Sequence, residues 1–532
     1  MSRVILLLTI SVAILAAACS GGGSIPAPPP ATGNFSNASL KGQYAFSMSG
    51  SDSGGEFFAR VGSFIADGNG GISGGIEDVN TAAGGPQTLP YTTSTYSIQA
   101  DGRGLINLTN DTGTLSFSVT LLSPTQGIIV QTDPSLVGTA SGNFVLQNPN
   151  SFSAAGLSGN YVFDFSGLDF SNTNGNNPFG VPDSIVGQFI ANGSNGITSG
   201  LLDENKDAQL ISTAAPFTSA SYQMDSANGS TFGRGTVNFI ANGTTYNYAF
   251  YIVNSSRVRM IEINSSALTL GDALSQSSVP TTNATFNGNF AFLLTGSGSS
   301  GAITRIGRFT ANGTGGVNSI FADTNDFGVV AQVPKGSLSA TTYAIDTNFP
   351  GTGRGTLTFT DSSLGSFQFI FYLTSASAGV IQDVSANNVA DGSLQLQTGA
   401  PFSNSSLAGD YGLSFTGISE NSSTQAIGEE DYVGHITLSS SSSNNVSGAV
   451  DFTEFSSNQG LFTDIVVSGN GLSVGGDGTT STGTRNALSL KINTSPSSTL
   501  DFVPYFVNSQ TMFVAGTDSN RVIAGTISVQ NP

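Results

Sequence analysis

The chain has 532 residues, and only 9% of them are Asp, Glu, Lys or Arg, against roughly 25% in an average soluble domain. A net charge of −19 would repel a phosphate backbone, and one Cys with one His leaves no material for a disulfide framework, a Cys/His metal centre or His-based catalysis. An apolar share of 38% with 68 Gly, 36 Phe and 13 Tyr excludes a disordered acidic tail and a long helical protein, and fits an all-β exported chain rich in turns.

In chain order, the first element is an address. Arg3 supplies a positive charge, Val4 to Ala18 is apolar apart from Thr9 and Ser11, and Ala16, Ala17 and Ala18 lead into Cys19. A charged start, a short apolar run and small residues make an export signal over residues 1–18, too short to span a bilayer. Gly21 to Gly23 and the Pro-rich stretch from Pro26 to Pro30 then form a flexible tether within residues 19–35. No later stretch approaches the ~18 consecutive apolar residues of a spanning helix.

A Cys directly after the small residues resembles the bacterial lipoprotein signal, with one departure: Ala16 stands where that family usually carries Leu, and Leu15 lies one place earlier. The resemblance implies that Cys19 is diacylated and becomes the first mature residue, anchoring the protein in the cell envelope. Ser20 after the Cys implies the outer membrane, with either its periplasmic or its cell-surface face. Two acyl chains suffice for stable anchoring.

The rest of the chain is one module written four times. A Gly-x-aromatic start recurs at Gly42, Gly159, Gly288 and Gly409, at intervals of about 120 residues. That period is too long for a solenoid repeat, so each copy is expected to be a domain with its own core. The expected modules are 36–150, 151–281, 282–401 and 402–532. Further landmarks keep their order: an Asp at Asp78, Asp203, Asp323 and Asp451; an Asn two places on at Asn80, Asn205 and Asn325; an Arg at Arg103, Arg234, Arg354 and Arg485; and a closing Gln at Gln147, Gln276, Gln397 and Gln530. The first three Arg are flanked by Gly on both sides.

Tyr44, Phe46 and Met48 alternate with small or polar neighbours, and so do their counterparts from Tyr161, Phe290 and Tyr411, which marks strands with one buried face. In the second copy the pattern predicts strands at 157–167, 184–192, 196–204, 218–225, 234–241, 245–254, 257–263 and 269–277. Short turns between neighbours favour a meander that closes into an eight-stranded barrel, with an immunoglobulin-like sandwich as the alternative. The Gly-x-Tyr opening weakly resembles that of lipocalin-like and avidin-like barrels. From residue 36 to 532 the landmarks also resemble multi-repeat bacterial surface lipoproteins, a resemblance that implies a family and no activity.

Candidate chemistry is sparse. His435 occupies the slot of Ser63, Gln188 and Arg308, which reads as an exposed strand position. Glu429, Glu430 and Asp431 read as a solvated acidic loop. Asp67 to Gly70 reads as a turn, because it lacks the remaining ligands of a calcium loop. Asp78 with Asn80 is the remaining calcium candidate, and no metal site or cofactor is assigned. One repeated acid per copy does not make the carboxylate pair of a glycosidase, so the chain is read as no enzyme. Arg103, Arg234, Arg354 and Arg485 are expected to tie down their own modules by pairing with Asp78, Asp203, Asp323 and Asp451, with an anion or sugar-carboxylate site in each copy as the alternative. The two function classes that remain are a surface binding module for carbohydrate or another small ligand, and a structural or adhesive spacer with solid barrels.

Overall fold

The computed structural model describes residues 31–82, 84–171, 180–420, 427–441, 445–455, 460–475, 485–494 and 497–532. The signal peptide, Cys19 and most of the tether lie outside them. Four antiparallel sheets follow one another along the chain. The second and fourth are closed eight-stranded barrels. The eight strands of the second run from Ser158–Asp169 to Ala267–Ser275, and the longest, Gln209–Met224, begins well before the expected 218.

The first sheet is ring-like: Phe57–Asp67 pairs both with Lys41–Asp52 and with Gly71–Thr81. The third is an open sheet of nine strands. Its gap lies between Val329–Val333 and Leu338–Ile345, where the second module has one continuous strand. Pro334, which has no N–H to donate to a ladder, stands in the gap. Each sheet curls around its own core, so the sandwich alternative is set aside. Helix is confined, among the described residues, to one turn at Gly229–Phe232 and short 3₁₀ segments.

Aromatic rings fill the interiors. Tyr161 stacks on Phe189 at 5.4 Å, Phe163 on Phe165 at 4.8 Å, and Phe217 on Phe239 at 4.6 Å. Barrels of this strand number are just wide enough for side chains to fill, and these are filled. The Asp67 turn is a local one: its carboxylate accepts the Asn69 and Gly71 amides at 2.6 and 2.9 Å, which lower its pKa.

The modules do not form a string. Module 1 packs on 2, 2 on 3, 3 on 4, and the fourth returns to the first through Ile427–Leu438 against Gly113–Ser123 and Gly138–Leu146. Separate apolar clusters fill the seams. Ala45 and Val61 meet Ala249 and Ile261 at the first, Val162 and Val186 meet Ile370 and Tyr372 at the second, and Ala291 and Ile306 meet Val503 and Phe513 at the third. Leu122, Ile128 and Val130 meet Val433 at the closing seam. The result is a closed ring of four.

Candidate functional site

The repeated polar landmarks lie at the seams. In each Gly-Arg-Gly the two glycines have separate reasons. Gly102, Gly233 and Gly353 have φ of 86°, 71° and 72°, a left-handed conformation that disfavours side chains. A Cβ at Gly235 or Gly355 would stand 2.2 or 2.3 Å from the ring of Phe250 or Phe371. The tripeptide therefore starts a strand against a barrel ring and leaves the Arg free to reach outward.

Each Arg reaches the preceding module. Arg234 grips Asp78 through Nε and Nη2, both at 2.8 Å, and Arg354 grips Asp203 in the same way, also at 2.8 Å. Tyr251 and Tyr372 donate their hydroxyls to the same carboxylates at 2.7 and 2.6 Å. Burial opposes the guanidinium charge, but the hydrogen bonds they donate to the two acids hold Arg234 and Arg354 above their usual pKa. The expectation of pairing inside one module is thus corrected: Asp78 meets Arg234, and Asp203 meets Arg354. The third seam is looser. Arg485 Nε lies 3.7 Å from Asp323, while its Nη2 donates to the carbonyls of Ala322 and Val333. Burial raises the Asp323 pKa, which Arg485 only partly offsets.

Arg103 completes the circle differently. Its Nε binds Asp101 of its own module at 2.8 Å and its Nη1 reaches Asp464 of module 4 at 2.6 Å. It makes no ion pair with Asp451, whose pKa burial raises. The position that carries Tyr251 and Tyr372 is Thr120 here.

Two more landmarks cross the same seams. Asn80 Nδ2 donates to the Glu262, Asn264 and Ala267 carbonyls, Asn205 to those of Asp383 and Asn388, and Asn325 to those of Gly516, Asp518 and Arg521. Thr453 holds this slot in module 4 and donates to Gln131 of module 1 at 3.0 Å. With Asp78 on Arg234 and the Asn80 amide used as a donor, the calcium candidate is occupied by seam contacts. The closing glutamines act as outward hooks. Gln147 reaches Ile252 O, Gln276 Leu373 O, Gln397 Phe506 O and Gln530 Leu121 O, each at 2.7 Å.

Two further expectations are overturned by the ring. Glu429, Glu430 and Asp431 are not a solvated loop; they lie on the strand Ile427–Leu438, and Glu430 and Asp431 are 0% exposed. Glu430 faces its own barrel and pairs with Arg521, while Asp431 accepts from Thr139 of module 1 at 2.8 Å. His435 is 9% exposed, at the closing seam, with Nε2 3.5 Å from Asp410. Burial lowers its pKa. Its slot looks variable in sequence because each seam is lined differently: Ser63 bonds Gln147 at 2.7 Å and Arg308 bonds Gln397 at 3.3 Å.

A pocket of about 430 Å³ lies where the four opening strands converge, lined by residues of all four modules. Equivalent outward positions on these strands carry hydroxyls: Ser49, Ser166, Thr295 and Thr416. Asp391 and Glu429 also line it, as does Asp183, which is committed to Lys206 at 3.3 Å. Behind the wall stand two carboxyl pairs. Asp391 contacts Asp164 across the 2–3 seam, and Glu429 contacts Asp431 and bonds Ser51 across the closing seam. Burial pushes Asp391 and Asp431 up to about 6, and Asp164 and Glu429 further up. Two acids in contact away from water cannot both ionise.

The pocket lies at the hairpin end of the opening strands, near Glu420 and Ile427. The first described residues, Ala31 and Thr32, lie beside Arg103, His435 and Thr437, toward the other end of those strands. Sequence reasoning missed the pocket because no single copy contains it; the recurring hydroxyl seven places after each opening Gly is the one signal that could have pointed there.

No protein-family model and no curated protein matches the sequence. Among solved structures, the chain is similar to a point mutant of transferrin-binding protein B from Haemophilus parasuis Hp5, at 11% identity over 76% of this chain and 82% of that one, with a TM-score of 0.17. A double mutant of the same antigen shows 10% identity over 76% and 83%, and intact Ap-TbpB, with its N and C lobes, 10% over 76% and 84%; both score 0.17. No helix among the described residues is long and apolar enough to cross a membrane.

Proposed function

We propose that this chain is a non-enzymatic, lipid-anchored protein of a bacterial cell envelope, in which the ring is the working unit and the axial pocket is its ligand site. The observation that carries this reading is the pocket itself: four modules converge on it, at the end of the strands opposite the tether. The interiors of the second and fourth modules are filled by stacked rings. A volume of about 430 Å³ with mixed hydroxyl, carboxyl and apolar lining suits a small molecule. Anchoring through Cys19 on the 19–35 tether would hold the pocket away from the membrane, at the outer membrane on its periplasmic or cell-surface face.

The spacer reading is favoured by one specific feature, the solid barrels, and applies to the modules rather than to the axis. The deciding experiment is native mass spectrometry of the full chain released intact from its own membranes, beside a glycan array. A bound small molecule that is lost with Thr416→Val supports the pocket; a clean result in both assays returns the protein to a spacer. Cys19→Ala should release it from the membrane fraction and remove the diacyl mass. Protease shaving of whole cells decides the face.

A further inference from the structure

The axial pocket has a charge pattern that narrows what it can hold, and the inference rests on reading that pocket as the ligand site. No Lys or Arg lines it. Apart from Asp183, which Lys206 holds, its lining acids belong to two pairs at the 2–3 and 4–1 seams, which face each other across a ring of four. Asp391 and Asp431 are buried and their partners half-buried; a pair that shares one proton keeps a single negative charge, which one cation neutralises. Asp431 is 0% exposed, yet its Oδ1 has no hydrogen-bond partner, and it stands behind the pocket residues Glu429 and Thr416, which it contacts. The basic groups of the 1–2 seam are already used: Arg257 pairs with Asp272, and Arg259 bonds Ser47 and Asn143.

We infer that the pocket takes a small dication, two ammonium groups on a short aliphatic chain, with one end at Asp164/Asp391 and the other at Glu429/Asp431. An ammonium has three donors and no acceptor, which suits a carboxylate flanked by hydroxyls. Ser166 and Ser184 stand beside Asp391, and Thr416, Thr139 and Ser141 beside Asp431. Leu168, Val389 and Ile418 also line the cavity and give its wall apolar surface for methylene groups. A metal ion fits less well, because the described residues contain no cluster of three metal-ligating side chains. The chain's net charge of −19 would draw cations toward the pocket in general.

The test is calorimetric titration of the detergent-solubilised full chain with 1,4-diaminobutane, with 1-aminobutane, magnesium chloride and D-glucose as comparisons. The diamine should bind at least tenfold more tightly than the monoamine, and magnesium and glucose should give no heat. Asp391→Asn and Glu429→Gln should each weaken the diamine tenfold or more. Neither should lower the melting temperature without ligand, since each removes one of two acids in contact. A diamine no tighter than the monoamine, or variants that bind like the parent, would overturn the dication. Glucose binding that Thr416→Val abolishes would overturn it too, while keeping the pocket as the site. Silence from all four probes together with no co-purified molecule would remove both readings.

Discussion

The seam between modules 2 and 3 and the seam that closes the ring use the same plan with different strength. At the first, Arg354 and Asp203 form a buried two-pronged pair under Tyr372, Asn205 holds two carbonyls, and Val162, Val186, Ile370 and Tyr372 pack beside them. At the closing seam, Arg103 is half satisfied by its own Asp101, its partner Asp464 has a side chain 50% exposed, Thr453 makes one bond, and the apolar cluster is smaller. Consecutive modules are also joined by chain, which keeps their effective concentration high, whereas modules 1 and 4 meet only through the ring. The closing seam is therefore where the ring should open first.

The largest expected difference comes from the arginines. Arg354→Ala strands a buried Asp203 and should cost about 3–5 kcal/mol, partly recovered by adding Asp203→Asn. Arg103→Ala should cost about 1–2 kcal/mol, because Asp101 and Asp464 keep other polar contacts or water. Urea unfolding of both variants reads the gap; equal losses would contradict an inequality between seams.

Cutting the ring into modules sharpens the comparison. Residues 151–281 expressed alone should fold, since ~120 residues can bury a core, but should melt below the full chain because Asp203 and Arg234 lose their partners. Residues 402–532, which face the weaker seam on one side, should lose less. Thermal melts of both pieces decide it, and a piece insoluble outside the ring would count against independent folding.

A smaller contrast lies in the amide hooks. Asn205→Ala leaves two carbonyls unpaired and should cost about 1–3 kcal/mol, and Thr453→Ala about 1 kcal/mol. Hydrogen exchange at the two seams would show whether opening follows that order.

The smallest effect is on pH, and it touches both seams. Asp391 and Asp431, pushed by burial to about 6, hold more protons folded than unfolded between pH 4 and 6. Stability should be fully present at the acid end of that window and decline as pH rises through about 6. Asp391→Asn should flatten the decline at the 2–3 seam only.

Much of the fold was legible because its signals are local. Alternation of Tyr161, Phe163 and Phe165 fixes an inward face within five residues, and the eight strands of the second copy all form. Placement of Glu429, Glu430 and Asp431 on a packed strand was not legible: a run of acids reads as a solvated loop unless the neighbouring wall, here Ser51 and Thr139 of another module, is known.

What the sequence by itself determined is the module, its repetition, its strand faces and the list of polar residues that matter. Tertiary structure alone decided which copy each of those residues serves. Every copy carries both an Arg and an Asp, so pairing within a module and pairing with the next are identical in sequence. Geometry separates them, because the Arg starts a strand on one flank of a barrel and the Asp sits on another, and only a neighbour can bring the two within 2.8 Å. The axial pocket follows for the same reason: its hydroxyls point out of four separate modules and become a site only when the ring closes around them.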